Sequence, residues 1–458
     1  MSTFEDKFGR IEISNDALWG VNTQRSIENF PIGQETMPKS LIESLIVLKK
    51  VSAQVHHAHH KIAEHTVRAI AEACDFILEN DLDDAFPLSI WQTGSGTQTN
   101  MNVNEVIAHI ANTHFKGEGV HPNDHVNYAQ SSNDMFPTAM HLSTVLLIKT
   151  RLIPSMEHMI ETFDQLIAEY GSIMKTGRTH LQDATPITFG QELGAWRHMY
   201  HEGLEQLHMC LESLRSLAIG ATAVGTGLNA YEGFDQAVCD ALNQMYHESF
   251  RPTPNKFHAI SSKDSFVFLQ GALAAIASNS MKMANDIRFL ASGPRCGLGE
   301  IVLPENEAGS SIMPGKVNPT QCEALMMVCA QVMGNQTAIT IGAALGNFQL
   351  NTFMPLIIHN TSRSICLLSD ALNSFNLRCL KGLDVDTHQM SDNLHQSLMT
   401  ATFLNRKFGY DQTAKIVNQA HQEGKSIKTV VVELGAMRPD EFDAFFDYQK
   451  MIKPDEAQ

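Results

Sequence analysis

The chain of 458 residues carries 50 acidic and 33 basic side chains, a net charge of −17, and is 43% apolar but only 18% charged. That acidic balance excludes nucleic acid or an anionic membrane as its main partner, and an anionic ligand would need a locally positive site. The length allows two or three domains around a large core, and so low a charged fraction points to a surface partly covered by the chain itself or by partner subunits.

The opening MSTFEDKFGRIE has no basic region followed by an apolar one, so no signal or transit peptide is expected. Residues 1–38 read as irregular, with turns at Pro31, Gly33 and Pro38. From 39 to 79 apolar residues fall at helical spacing, as in Leu41, Leu45, Leu48, Val51 and Val55. The HHAHH run sets His56 and His60 at i, i+4, but no acidic residue sits at ligand spacing and no HExxH occurs. The run therefore reads as a solvated helix face, and no metal is expected.

Residues 80–135 alternate short helical pieces with three polar loops: TGSGTQTN (93–100), HPND (121–124) and QSSND (130–134). Gly94 and Gly96 free the first loop's backbone where it enters a helix, offering N–H groups and a positive dipole end to an anion. Ser131, Ser132 and Asn133 are good helix caps and equally good carboxylate donors. Neither loop is a Walker or Rossmann signature, so nucleotide binding has no support.

Long helices are expected over roughly 137–171, 188–218, 233–247, 264–292 and 320–345. GRTHLQDATP (177–186) places Thr179 and His180 in a polar break between two of them. A lone histidine is more often structural than catalytic, and gains weight only if a carboxylate elsewhere holds it. The last two long helices are apolar or small on nearly every face and must be surrounded by other helices. The apolar stretches are broken by Gln, Asn or charge before they could span a bilayer, so a soluble, cytoplasmic protein is expected.

Between these helices lies GSSIMPGKVNP (309–319), whose Gly309, Pro314, Gly315 and Pro319 make it a loop. Two hydroxyls and Lys316 beside Ile312, Met313 and Val317 suggest that it is partly buried and polar-lined. The eight cysteines show no CxxC, and Cys322 and Cys329, seven apart, read as packing. From about 389 ordinary amphipathic helices return, broken at Gly409 and Gly424. No internal repeat is present and strand signals are few.

GSSIMPGKVNP followed by TQCEAL resembles the signature of the fumarase/aspartase superfamily, in its class II fumarase form. The resemblance runs from LWGVNTQRSIENFPIG (18–33) through TGSGTQTNMNVNEV, HPND, QSSNDMFPTAMH and GRTHLQDATPITFGQE to RKFGYDQTAKIVNQAHQEG. It implies a mainly α, three-domain fold, with an N-terminal region 1–131, a central bundle 132–388 whose long helices form a shared core in a homotetramer, and a C-terminal region 389–458. It implies reversible hydration of fumarate to malate without a cofactor or metal. By motif, Ser310 would remove the carbon-3 proton of malate, assisted by Lys316. His180, held by Glu323, would handle the proton of the departing water. Ser95, Gly96, Thr97, Ser131, Ser132, Asn133, Thr179, Ser311, Lys316, Val317 and Asn318 would bind substrate. His121, Pro122, Asn123 and Asp124 resemble a second dicarboxylate site, where His125, Tyr128 and Ala129 depart from the family's usual DVNKS. Aspartate ammonia-lyase on the same scaffold is the neighbouring alternative, though TQCEAL and QSSND favour fumarase. A catalytically silent relative is a further one, opposed by the retention of Ser310, Lys316, His180 and Glu323.

Overall fold

The computed structural model describes residues 1–117 and 119–454. A short hairpin, β1 (Ser2–Asp6) with β2 (Gly9–Ile13), precedes α1 (Val21–Asn29), α2 (Lys39–Ala58), α3 (Glu64–Glu79), α4 (Thr97–His114), α5 (Ser132–Leu147) and α6 (Ile153–Tyr170). A second antiparallel hairpin, β3 (Met174–Thr179) with β4 (Gln182–Thr188), leads into α7 (Phe189–Leu214). Then come α8 (Phe234–Tyr246), α9 (Lys256–Ser261), α10 (Asp264–Leu290), α11 (Thr320–Ala344) and α12 (Met354–Arg378). Four shorter stretches close the chain: α13 (Thr387–Gln396), α14 (Asn405–Glu423), α15 (Ile427–Glu433) and α16 (Pro439–Phe445). Four of the five long helices thus form close to where periodicity placed them, and the one expected over 137–171 is divided into α5 and α6 by a π-helical turn at Ile148–Leu152.

One compact unit gathers Met1–Pro154, Gly203–Ser278 and Val328–Ser369. Its hub is α2, which packs on α3, α5 and α8. The stripe Leu41, Leu45, Leu48, Val51 and Val55 is buried as expected. Each such side chain withdrawn from water stabilises the fold by about 1.5–3 kcal/mol. The opposite flank of α2 is buried too, through Ile42, Ile46 and Lys49, so the end of the helix is not a solvated face. His56 is wholly buried. Its ring stacks on Phe234 at 4.7 Å, and its nitrogens bond Tyr231 and the Tyr128 carbonyl. These partners lie far along the chain, which is why the HHAHH run misreads locally; His59 and His60 are exposed as expected. Within this unit Gln270 of α10 donates to the Val332 carbonyl at 2.8 Å, and Asn335 of α11 donates to Ser364 of α12 at 3.0 Å. These bonds satisfy polar groups among otherwise apolar helices.

The other unit comprises Ser155–Glu202, Asn279–Met327 and the chain from Asp370 onward. Trp196 and Tyr200 of α7 are buried there and reach Asp286 and Ser280 of α10 at 3.2 and 3.1 Å. The C-terminal helices have their own core of Leu404, Ile416, Ala420, Val430, Val431 and Phe442. Gly409 kinks α14 with φ +73° and Gly424 ends it with φ +63°, the two breaks expected from sequence.

Among the described residues α11 is long and apolar enough, by length and composition, to cross a membrane. That differs from the expectation that every apolar run is interrupted. Its polar residues, Asn335 among them, are too few and too spaced to break the run. In this fold Cys329, Val332 and Ile339 of α11 are fully buried against other helices of the chain.

Candidate active site

Two of the polar loops meet in the first unit. Gly96, at φ +71°, turns the chain into α4, and a Cβ there would strike the Phe136 ring. Gly94 lies against residue 352: a Cβ would overlap the Thr352 carbonyl, while the Gly94 carbonyl accepts from Met354 N at 3.0 Å. Only glycine fits that approach. The loop's hydroxyls continue into the second loop, with Ser95 Oγ 2.8 Å from Thr97 Oγ1 and Thr97 Oγ1 2.8 Å from Ser132 Oγ. This chain of rotatable O–H groups can turn donors toward an anion.

A capping box begins α5. Ser131 Oγ accepts from Asn133 N at 3.2 Å and Ser131 N donates to Asp134 Oδ1 at 2.9 Å. Asp134 Oδ2 also accepts from Gly220 N at 3.1 Å and Thr222 N at 2.9 Å, tying a distant turn to the loop. Burial pushes the Asp134 carboxyl up to about 6 against the pull of these N–H groups. Asn133 Nδ2 donates to the Ala223 carbonyl at 2.8 Å.

In the second unit His180 sits not in a plain break between helices but at the tip of the β3–β4 hairpin. His180 and Leu181 both have positive φ (57° and 59°), the form a two-residue hairpin turn requires. The strands MKTGRT and QDATPIT carry little period-two alternation, with Thr176 and Thr179 three apart and Pro186 inside the second, so sequence offers only the polar break between them. Thr179 and His180 are exposed. The base of the hairpin is clamped by charge: fully buried Glu300 accepts from Arg178 and from Asn393 at 3.0 Å, with Lys175 Nζ 3.2 Å away. Burial pushes the Glu300 carboxyl up, but Arg178, Lys175 and Asn393 more than offset this and hold it below its ordinary value. Glu300 escapes sequence reading because it looks like any loop glutamate.

The 309–319 loop closes on itself. Gly309 N donates to the Lys316 carbonyl at 3.1 Å, and Asn318 Nδ2 donates to the Gly309 carbonyl at 2.6 Å. Ser310 Oγ accepts from Ile312 N at 3.2 Å and Met313 N at 3.1 Å. The half-buried Ser310 lines a hollow of about 400 Å³ shared with Lys316, Glu305 and Glu307. Most of the loop is exposed rather than partly buried, Ile312 by 84% and Met313 by 48%. It is held by its own closing bonds, not by packing. Glu323 stands in the first turn of α11, exposed, where a carboxylate favours the positive helix end. Among the described residues no hydrogen bond joins His180 to Glu323, and Thr179, Ser311 and Lys316 have no side-chain partner.

At the 121–126 segment a π-helical turn is formed, with Val126 N bonded to the His121 carbonyl at 3.2 Å. His121 Nδ1 accepts from Asn123 N and Asp124 N at 3.3 and 3.2 Å, and His125 Nδ1 accepts from His121 N at 2.9 Å. Asp124, His125 and Tyr128 face a cavity of about 440 Å³ that Lys61, His65 and Thr66 also line. Lys61 and His65 were not singled out from sequence because they belong to an ordinary helix junction. No group of three His, Cys, Asp or Glu side chains able to hold a metal occurs among the described residues.

A bundle-forming helical chain, with hydroxyl-rich loops and a Ser/Lys loop before a long apolar helix, has the build of a lyase. Residues 9–334 match the lyase family model and residues 401–453 match the model for the fumarase C C-terminus. The chain is 51% identical to the class II fumarate hydratase of Helicobacter pylori, 50% to that of Campylobacter jejuni and 46% to that of Bacillus subtilis. Each of these alignments covers 98% of both chains. Its fold superposes on a class II fumarase from Schistosoma mansoni with a TM-score of 0.94 at 39% identity, covering 98% of both chains. A fumarate lyase:delta crystallin structure from Brucella melitensis, bound to cobalt, gives 0.94 at 35% over 99% of this chain and 100% of that one. The chain belongs to the class II fumarate hydratase family of lyases.

Proposed function

We propose that the protein is a fumarate hydratase, adding water reversibly and in anti fashion across fumarate to give (S)-malate. The observation that supports this most is Ser310 Oγ, which faces two backbone N–H donors on a loop that also carries Lys316. A serine hydroxyl is too weak a base at neutral pH. Hydrogen bonds to the ionised form and a nearby cation both lower its pKa. In the dehydration direction Ser310 takes the carbon-3 proton, and the electron pair passes into the adjoining carboxylate as an aci-carboxylate. The carbon-2 hydroxyl then leaves as water, protonated by His180, with Glu323 holding the imidazole. Ser95, Gly96, Thr97, Ser131, Ser132, Asn133, Thr179, Ser311, Lys316, Val317 and Asn318 bind the dicarboxylate and its developing charge, an electrostatic role worth most in a closed site. Loop 309–319 closes over substrate to exclude water. His121, Pro122, Asn123 and Asp124 form a second dicarboxylate site.

The same reading makes the protein a cytoplasmic homotetramer with regions 1–131, 132–388 and 389–458. Its support is the apolar surface that a single chain leaves uncovered on α11, where Met327 is 68% and Ile341 54% exposed.

Loss of the ultraviolet absorbance of fumarate, with products identified by mass, tests the activity. Malate formed without ammonium is the expected outcome, whereas aspartate formed only with ammonium reassigns the enzyme as an ammonia-lyase. Ser310→Ala should lower turnover by about 10²–10⁴-fold, and near-normal turnover of that variant would remove Ser310 from the mechanism.

A further inference from the structure

Residues 127–130 join the 121–126 turn to the Ser131–Asn133 loop, and side chains from two buried helices grip this short link. Lys49 Nζ of α2 donates to Asn127 Oδ1 and Gln130 Oε1, both at 2.8 Å. Asn100 and Asn104 of α4 donate to the same Asn127 oxygen at 3.1 and 3.2 Å. Two turns along the same face of α2, His56 Nε2 donates to the Tyr128 carbonyl at 2.9 Å, which leaves Nδ1 to accept from the Tyr231 hydroxyl at 3.0 Å. The His56 ring also meets Tyr128 edge-on, with centroids 5.1 Å apart and planes at 84°.

Between these anchors Ala129 adopts φ +56°. A left-handed alanine costs about 1–2 kcal/mol, so it persists only where its neighbours leave no alternative. Lys49 and His56 are both fully buried and both lie outside the reaction derived above. A buried ammonium and a buried imidazole are expensive to desolvate, and apolar side chains would fill this helix face at lower cost. What they do that apolar residues cannot is to fix the polar atoms of the link.

We propose that Lys49 and His56 are positioning residues for the substrate-binding loop. They fix residues 127–130, and through the Ser131–Asp134 capping box they fix the direction in which Ser131, Ser132 and Asn133 present their donors. The inference rests on the reading of that loop as a substrate site. The effect falls on substrate binding rather than on proton removal at Ser310, so it raises KM and spares kcat.

Four variants test it, each assayed for fumarate hydration after circular dichroism and thermal unfolding show a folded enzyme at the assay temperature. His56→Leu removes both ring hydrogen bonds, and His56→Gln keeps an N–H donor near the Nε2 position. His56→Leu should raise KM about tenfold or more with kcat within about threefold, and His56→Gln should recover most of that loss. Should His56→Leu not fold, Tyr231→Phe keeps the test open. It removes only the hydroxyl that bonds Nδ1, and a smaller rise in KM is expected. Asn133→Ala, in the loop itself, separates the two levels of the argument. If Asn133→Ala raises KM while folded His56→Leu or Tyr231→Phe leaves it unchanged, the positioning role is overturned and the substrate reading survives. If Asn133→Ala leaves KM unchanged, the substrate reading fails and takes the proposal with it. Equal KM values for His56→Leu and His56→Gln, or a fall in kcat alone, would also overturn it.

Discussion

Burial decides the proton affinity of His56, pushing its imidazole down to about 4, with the Tyr128 carbonyl opposing and His59 and Lys49 assisting. Below about pH 6.5 the unfolded chain binds a proton at this position, whereas the native protein does so only near pH 4. The unfolded state therefore holds more protons across that window. Stability from the neutral ring is complete above about pH 6.5 and drains as pH falls toward 4. Asp134 acts oppositely. Its native carboxyl, pushed up to about 6, takes a proton more readily than in the unfolded chain, so its burial cost eases as pH falls. Comparing the native protein with His56→Gln cancels the Asp134 contribution. The stability advantage of the native protein over that variant should shrink by up to about 3 kcal/mol between neutral pH and pH 4. Parallel Tm-versus-pH curves would show that residue 56 does not titrate in this window.

Among the elements, the β3–β4 hairpin shows how a catalytic candidate can be exposed while the strand below it is held by charge. His180 has no side-chain partner among the described residues, so its position depends on Arg178 and Lys175, which converge on Glu300. Glu300→Gln takes the carboxylate away from partly buried Arg178 and leaves buried Lys175 with Glu192 alone, 3.0 Å away, a loss on the order of 1–3 kcal/mol. The expected result is a lower Tm together with at least a tenfold loss of turnover, read by calorimetry and the fumarate assay. Unchanged turnover would mean that the tip is placed by other contacts. Sequence spoke unevenly about these elements. The α2 stripe, the α5 cap at Ser131 and the glycine breaks of α14 are local patterns, and they were legible. The hairpin was not, because its strands are short, polar and bulged near Gly177. The burial of His56 depends on Tyr128, Tyr231 and Phe234, which no window around residue 56 contains.

For the molecule as a whole, what one chain leaves uncovered matters as much as what it buries. Met327 and Ile341, exposed on α11, are where the proposed tetramer would find its core. Replacing both with glutamate should reduce the mass measured by light scattering from four chains to fewer, because apolar interface cores tolerate unpaired charge poorly. An unchanged mass would place the association surface elsewhere. That 309–319 and 93–96 are loops was readable from their glycines and prolines, but the openness of loop 309–319 was not. Composition reports what a loop contains and not how much of it one chain covers.

Each compact unit is stitched from three separate stretches of sequence, the first of them closing only with Val328–Ser369. A nascent chain leaving the ribosome therefore carries α2, α3, α4 and α5 for most of its synthesis without the last segment of their unit. Non-local contacts of this kind delay folding. A prematurely terminated product ending before residue 328 would hold neither unit entire, and would emerge as a substrate for chaperones and proteases rather than as a working fragment.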